Sequence, residues 1–168
     1  MLINQIKNIR LDSIDDTILQ NYYLEGTIMK KTVILLFILF SFALGNAVGM
    51  VKSITGKVEL KRNKSILLLS VGKSIEAGDI LMTKRKSSIG IIFDDGSVLA
   101  LGENSIFAIN KFIVQPDKNR YDVDLNMTIG KASFTSGKVG KLAPESVKFH
   151  VPEGVIGIRG TKFLVEID

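Results

Sequence analysis

The chain has 168 residues, with no Cys, no Trp, a single His, and 22 basic against 17 acidic residues for a net charge of +5. That length holds one ordinary domain and a processing segment, and is too short for two ordinary domains. Absent cysteine excludes disulfides, thiolate metal sites, iron–sulfur clusters and cysteine nucleophiles, and one histidine excludes a multi-histidine metal centre.

The apolar excess sits near the start. Met29-Lys30-Lys31 precedes the uncharged stretch Thr32–Val51, whose most apolar part is Val33–Leu44, and Gly45-Asn46-Ala47 then gives a small-x-small exit. A positive start, a short apolar centre and a small-residue exit predict a signal peptide over residues 29–47, cleaved after Ala47. The competing reading is an uncleaved signal anchor over 32–51, because about 20 apolar residues cross a bilayer as a helix. Lys30 and Lys31 put the start on the cytoplasmic side in either case. Residues 1–28 read as sequence upstream of a true start at Met29, or as a short cytoplasmic arm ahead of an anchor. Lys7, Arg10, Lys30 and Lys31 are balanced by Asp12, Asp15, Asp16 and Glu25, so the +5 belongs to residues 48–168.

From residue 48 onward, short apolar alternations are punctuated by Gly, Asp and Asn, with no periodic stretch of helix length. Gly56–Lys61 alternates and turns at Arg62-Asn63-Lys64; Ile66–Leu69 with Val71 reads as a buried strand run. Ala77-Gly78-Asp79 is a turn before Ile80-Leu81-Met82. Ile89–Leu101 is the clearest hairpin, two β-rich arms around Asp94-Asp95-Gly96-Ser97, where Gly96 supplies positive φ. Further strands are expected at Ile106–Ile109, Lys111–Val114, Val123–Ile129, Ala132–Phe134, Val147–Val151 and Phe163–Ile167. Many short strands at close spacing predict an all-β domain.

Several patterns imitate chemical sites. Asp122-Val123-Asp124-Leu125-Asn126 opens like a calcium loop, but Met127 and Ser133 stand where Gly and Glu are required. A strand with Val123, Leu125, Met127 and Ile129 inward is the simpler account. Asp94 and Asp95 are neighbours in a turn, so their side chains point apart rather than forming an acid/base pair. Lys84-Arg85-Lys86 lacks interleaved aromatics and reads as a solvated turn, with no nucleic-acid partner expected. His150 lies between Phe149 and Val151 and reads as structural; a hydrolase pairing it with Ser or an acid is a remote alternative, since no serine sits in a G-x-S-x-G elbow. Glycines 154, 157 and 160 fit neither dinucleotide nor Walker loops and suggest close backbone approach or bulges in a strand pair. Arg159, alone in that apolar stretch, needs solvent or a buried partner. No catalytic residue, cofactor or metal is expected.

In order along the chain, Val48–Leu60, Ser70-Val71-Gly72, Glu76–Thr83, Ser88–Phe93 followed by Asp95-Gly96-Ser97-Val98-Leu99-Ala100-Leu101, Ile129–Ala132, and Pro152 with Gly154–Val165 match one ordered set of motifs. On these segments residues 48–168 resemble the FecR domain family. The signature positions carried over are Gly78, Asp79, Asp95, Gly96, Ser97, Pro152, Arg159, Gly160 and Thr161, in structural or interaction roles. The resemblance implies an all-β, twisted solenoid-like or sandwich module of short strands behind an N-terminal hydrophobic signal helix, which binds proteins or ligands and catalyses nothing. It implies an envelope protein partner such as the signalling domain of a TonB-dependent outer-membrane receptor; an anionic envelope polymer is the other partner considered. Membrane contact is expected only through 32–51, and location is periplasmic or exported, or inner-membrane-anchored if the signal is uncleaved. At most 28 residues precede the apolar segment, too few for the family's anti-sigma domain, and relatives continue past the strand that ends here, so a longer gene product is expected.

Overall fold

The computed structural model describes residues 47–158 and 162–168. The expected signal segment and upstream residues, and Arg159, Gly160 and Thr161, lie outside them. Among the described residues the strands are β1 (Ala47–Thr55), β2 (Val58–Arg62), β3 (Ser65–Leu68), β4 (Ser74–Glu76), β5 (Ile80–Thr83), β6 (Ser88–Phe93), β7 (Val98–Leu101), β8 (Ile106–Gln115), β9 (Arg120–Thr135), β10 (Val147–Val151), β11 (Gly154–Gly157) and β12 (Lys162–Ile167). A short α-helical turn, α1 (Val139–Leu142), and a 3-10 turn (Pro144–Ser146) lie between β9 and β10. The fold is all-β, as the sequence predicts.

Hydrogen-bonded neighbours run β3-β2-β5-β8-β9-β7-β6-β1-β4, with β12 and β10 also on β9 and β11 on β10. The pairings are antiparallel except β9–β10, so the described residues form a curled, chiefly antiparallel sheet. Its organiser is β9. Residues 120–129 pair with β8, and 123–126 also with β10; residues 130–135 pair with β12, and 132–135 also with β7. The change of partners falls at Gly130, whose φ of +99° is costly for a residue with a Cβ. Lys131 N–H donates to Ser105 Oγ at 3.0 Å and Gly102 N–H to Lys131 O at 2.8 Å, fixing the bend.

The period-two alternation then sends one face of each half inward. Leu60, Leu81, Phe107, Leu125 and Phe149 come from one half; Ile75, Ile91, Leu99 and Phe134 from the other, and all are buried. Rings join the halves: Phe93 stacks on Phe112 with centroids 4.2 Å apart, and Phe163 meets Phe149 edge-on at 4.9 Å. Each fully buried large apolar side chain contributes about 1.5–3 kcal/mol, so this shared core supplies the bulk of the folding free energy.

Five expectations are corrected. Ile106–Ile109 and Lys111–Val114 are one strand with a register shift near Asn110, and Val123–Ile129 and Ala132–Phe134 are one strand bent at Gly130. Ile129 is exposed, because the register shift that pairs it with Ile106 turns both outward. Gly154 and Gly157 sit in a regular hairpin where an added Cβ would meet nothing, so close backbone approach is not their reason. Finally, Ile66–Leu69 is not a buried run: only Leu69 is inside, since β3 ends the sheet and no other described strand covers it.

Candidate functional site

The turn between β4 and β5 carries Gly78 and Asp79. Asp79 is fully buried; its Oδ1 accepts Arg62 Nε at 2.8 Å, and its Oδ2 accepts Arg62 Nη2 at 2.7 Å and Glu76 N–H at 2.8 Å. This two-pronged pairing suits the planar guanidinium fork. Arg62 Nη1 also donates to Glu76 Oε1 at 2.7 Å. The Asp79 hydrogen bonds hold the Arg62 guanidinium above its already high usual pKa. Gly78 N–H donates to Ile109 O and Ile109 N–H to Asp79 O, clipping the turn to β8.

The turn between β6 and β7 carries the other acidic signature. Gly96, at φ +84°, donates its N–H to Phe93 O at 2.9 Å, while Phe93 N–H donates to Ser97 O. Asp94 points to solvent and Asp95 inward, as neighbours in a turn must. Asp95 Oδ1 accepts Ser97 N–H at 2.8 Å; its Oδ2 accepts Ser97 Oγ at 2.9 Å and Val139 N–H at 3.1 Å. Ser97 Oγ accepts Gly137 N–H at 2.8 Å, and Asp95 O accepts Lys138 N–H. The signature therefore tethers the segment after β9, some forty residues away in sequence.

These two turns stand on one open cleft of about 480 Å³, lined by Ala77, Asp94, Asp95, Phe112, Val114 and Lys138 among others. Pro152 lies apart, exposed in the β10–β11 turn. A shallower groove of about 430 Å³ crosses the outer sheet face over Ala100, Gly102 and Ser133, beside exposed Leu164 and the 2.7 Å Lys131–Glu166 ion pair. Its hydrogen bond to Glu166 raises the Lys131 pKa.

Other candidate residues are engaged in surface pairs. Lys84, of the basic triplet, and Lys57 each lie 2.9 Å from the Glu59 carboxylate, and hydrogen bonds from Lys84 and then Lys57 hold Glu59 below the usual carboxylate range. Lys86 N–H donates to Glu103. Asp122 pairs with Lys111 at 3.2 Å, and Asp124 accepts Asn110 Nδ2 at 2.8 Å, with His150 Nε2 at 3.5 Å. Among the described residues no group of three or more His, Asp or Glu is placed to hold a metal ion.

The feature that the alternation pattern hid is the β3 edge. Ile66, Leu67, Leu68 and Val71 are 63%, 46%, 65% and 62% exposed. A four-residue apolar run with no alternation reads equally as a strand buried on both faces or bare on both. Lys61, Lys64 and Lys73 around it were the available signal for the second.

The geometry defines a class: an all-β domain of two sheet halves on one shared strand, with signature carboxylates buried in two turns. The family model described as FecR protein matches residues 79–168, and the chain belongs to that family. Among solved structures, one described as a cell surface anchoring domain is similar at 32% identity and TM-score 0.36, covering 37% of this chain and 83% of that one. No curated protein matches.

Proposed function

We propose that this chain is a non-enzymatic, exported FecR-type module that works in the bacterial cell envelope by binding a protein or ligand. Family membership supports the reading, and one structural observation carries it. Asp79 and Asp95, the acidic signature residues, spend their carboxylate oxygens on internal hydrogen bonds. Residues so engaged shape turns and hold surfaces. What remains outward is contact surface: the cleft beside the two turns, the outer sheet faces and the strand edges. Pro152, exposed in its turn, belongs with these surfaces; Arg159, Gly160 and Thr161 are assigned to the same module by their signature alone.

The export reading has its own support. β1 starts at Ala47 and pairs with β4 and β6, with Val51 in the core. The uncharged stretch ahead of it, residues 32–46, is shorter than the ~20 residues that span a bilayer as a helix. Residues 29–47 accordingly serve as a leader and 48–168 as the working domain. Mass spectrometry of the native N-terminus tests this: a start at Val48 is expected. Recovery of the protein in the membrane with 29–47 retained would instead favour an anchored transducer relaying a receptor signal.

A further inference from the structure

We infer that β3 is the docking edge of this module, taking an acidic extended segment of a partner protein as an added strand. The inference rests on the binding reading above and names its surface and partner chemistry.

Three observations carry it. First, among the described residues β3 is terminal in the strand order, bonded only to β2. Leu69 N–H donates to Val58 O, and the register places Leu67 opposite Leu60 and Ser65 opposite Arg62. Antiparallel alternation then directs the N–H and C=O of Ile66 and Leu68 away from β2. Second, the side chains on both faces of this edge are apolar and exposed: Ile66 and Leu68 on the outer face, Leu67 on the core-side face. Third, no acidic residue occurs between Leu60 and Ile75, while Lys61, Arg62, Lys64 and Lys73 do. Arg62 is neutralised by Asp79 and Glu76, and Glu59, across from Leu68, by Lys57 and Lys84. Among the described residues Lys61, Lys64 and Lys73 have no ion pair, so the edge keeps a cationic rim.

Those facts choose among occupants. A bilayer would receive Ile66 and Leu68 but leave their outward backbone groups without partners, at several kcal/mol for each group in hydrocarbon. A second copy would satisfy the backbone but bring like-charged lysine rims together. An extended segment with acidic side chains supplies both the backbone ladder and the opposite charge.

The test uses the full chain and two short fluorescent peptides, one alternating valine and glutamate, the other valine and lysine, read by anisotropy. The glutamate peptide is expected to bind and the lysine peptide not. Ile66→Pro with Leu68→Pro removes the two outward N–H donors while sparing the β2 ladder, and is expected to abolish binding with the circular dichroism spectrum unchanged. Should that variant misfold, Lys61→Glu, Lys64→Glu and Lys73→Glu together change only exposed side chains; the peptide preference should then invert, with about a tenfold loss for the glutamate peptide. Equal binding of both peptides, no binding of either, or an uninverted preference in the charge-reversed variant would overturn the inference. So would a dimer lost in the proline variant, or flotation with anionic vesicles that survives it. If the glutamate peptide fails while a photo-crosslinker placed at Leu164 still captures an envelope protein, the binding reading stands and the β3 edge alone is dismissed.

Discussion

The turns at Asp79 and Asp95 solve one problem in two ways. Each buries a carboxylate beside a glycine in a tight turn, Asp95 within the β6–β7 hairpin and Asp79 where the chain crosses from β4 to β5, and each surrounds it with three hydrogen bonds to the carboxylate. At Asp79 the dominant partner is a charge, the Arg62 guanidinium; at Asp95 all partners are neutral, two backbone N–H groups and one hydroxyl. A charged partner stabilises by mutual attraction and can be removed together with its acid. Backbone donors stay wherever the chain goes, so an acceptor among them is irreplaceable.

The largest expected effect follows from that asymmetry. Asp95→Ala strands the Ser97 N–H, the Ser97 hydroxyl and the Val139 N–H, and should cost about 3 kcal/mol at roughly 1 per orphaned donor. Urea denaturation measures it; a loss under about 1 kcal/mol would mean that these bonds carry no net stability. Arg62→Met comes next, at about 2–3 kcal/mol, because it leaves the Asp79 carboxylate buried without its counter-charge. Adding Asp79→Asn should recover part of that loss, whereas Asp95→Asn has no second-site partner to rescue it. Absence of recovery in the Arg62/Asp79 double variant would erase the distinction between the turns.

Gly96→Val should cost about 1–2 kcal/mol. An added Cβ there meets no atom, so the expense is backbone strain at φ +84°. An unchanged melting temperature would contradict it. The smallest effect belongs to a partly covered surface carboxylate, Glu59. Its folded-state pKa is depressed by Lys84 and Lys57, so its contribution is present above the unfolded pKa and lost as pH falls through the folded one. The stability gap between wild type and Glu59→Gln should therefore be small near neutrality and close in acid. A gap that widens in acid would reverse the sign.

How much of this was legible in the chain depends on distance along it. The Asp95 turn was readable because its geometry is local: Asp-Gly between β-rich arms demands a tight turn, and Ser97 lies two residues away. Its tether to Val139 was not, because nothing near residue 139 announces a donor awaiting a carboxylate. Arg62 looked like a turn residue, since its partner Asp79 is set by how β2 lies beside β5, which only the register decides. The two long strands were divided at Asn110 and Gly130 because a register shift and a positive-φ bend interrupt alternation without ending the strand. Ile66–Leu69 was misjudged for the opposite reason, as periodicity reports which face a residue takes and not whether the sheet continues beyond it. Signature residues 159–161 remain known by their pattern alone.

The sixteen-residue β9 has a mechanical meaning. Among the described residues it is the one strand common to both halves, so neither half can be peeled away without stripping a flank of that strand. Pull applied at β12 reaches it directly through the 130–135 ladder; pull applied at β3 reaches it through β2, β5 and β8. Two remote edges are thus strung on a single cord.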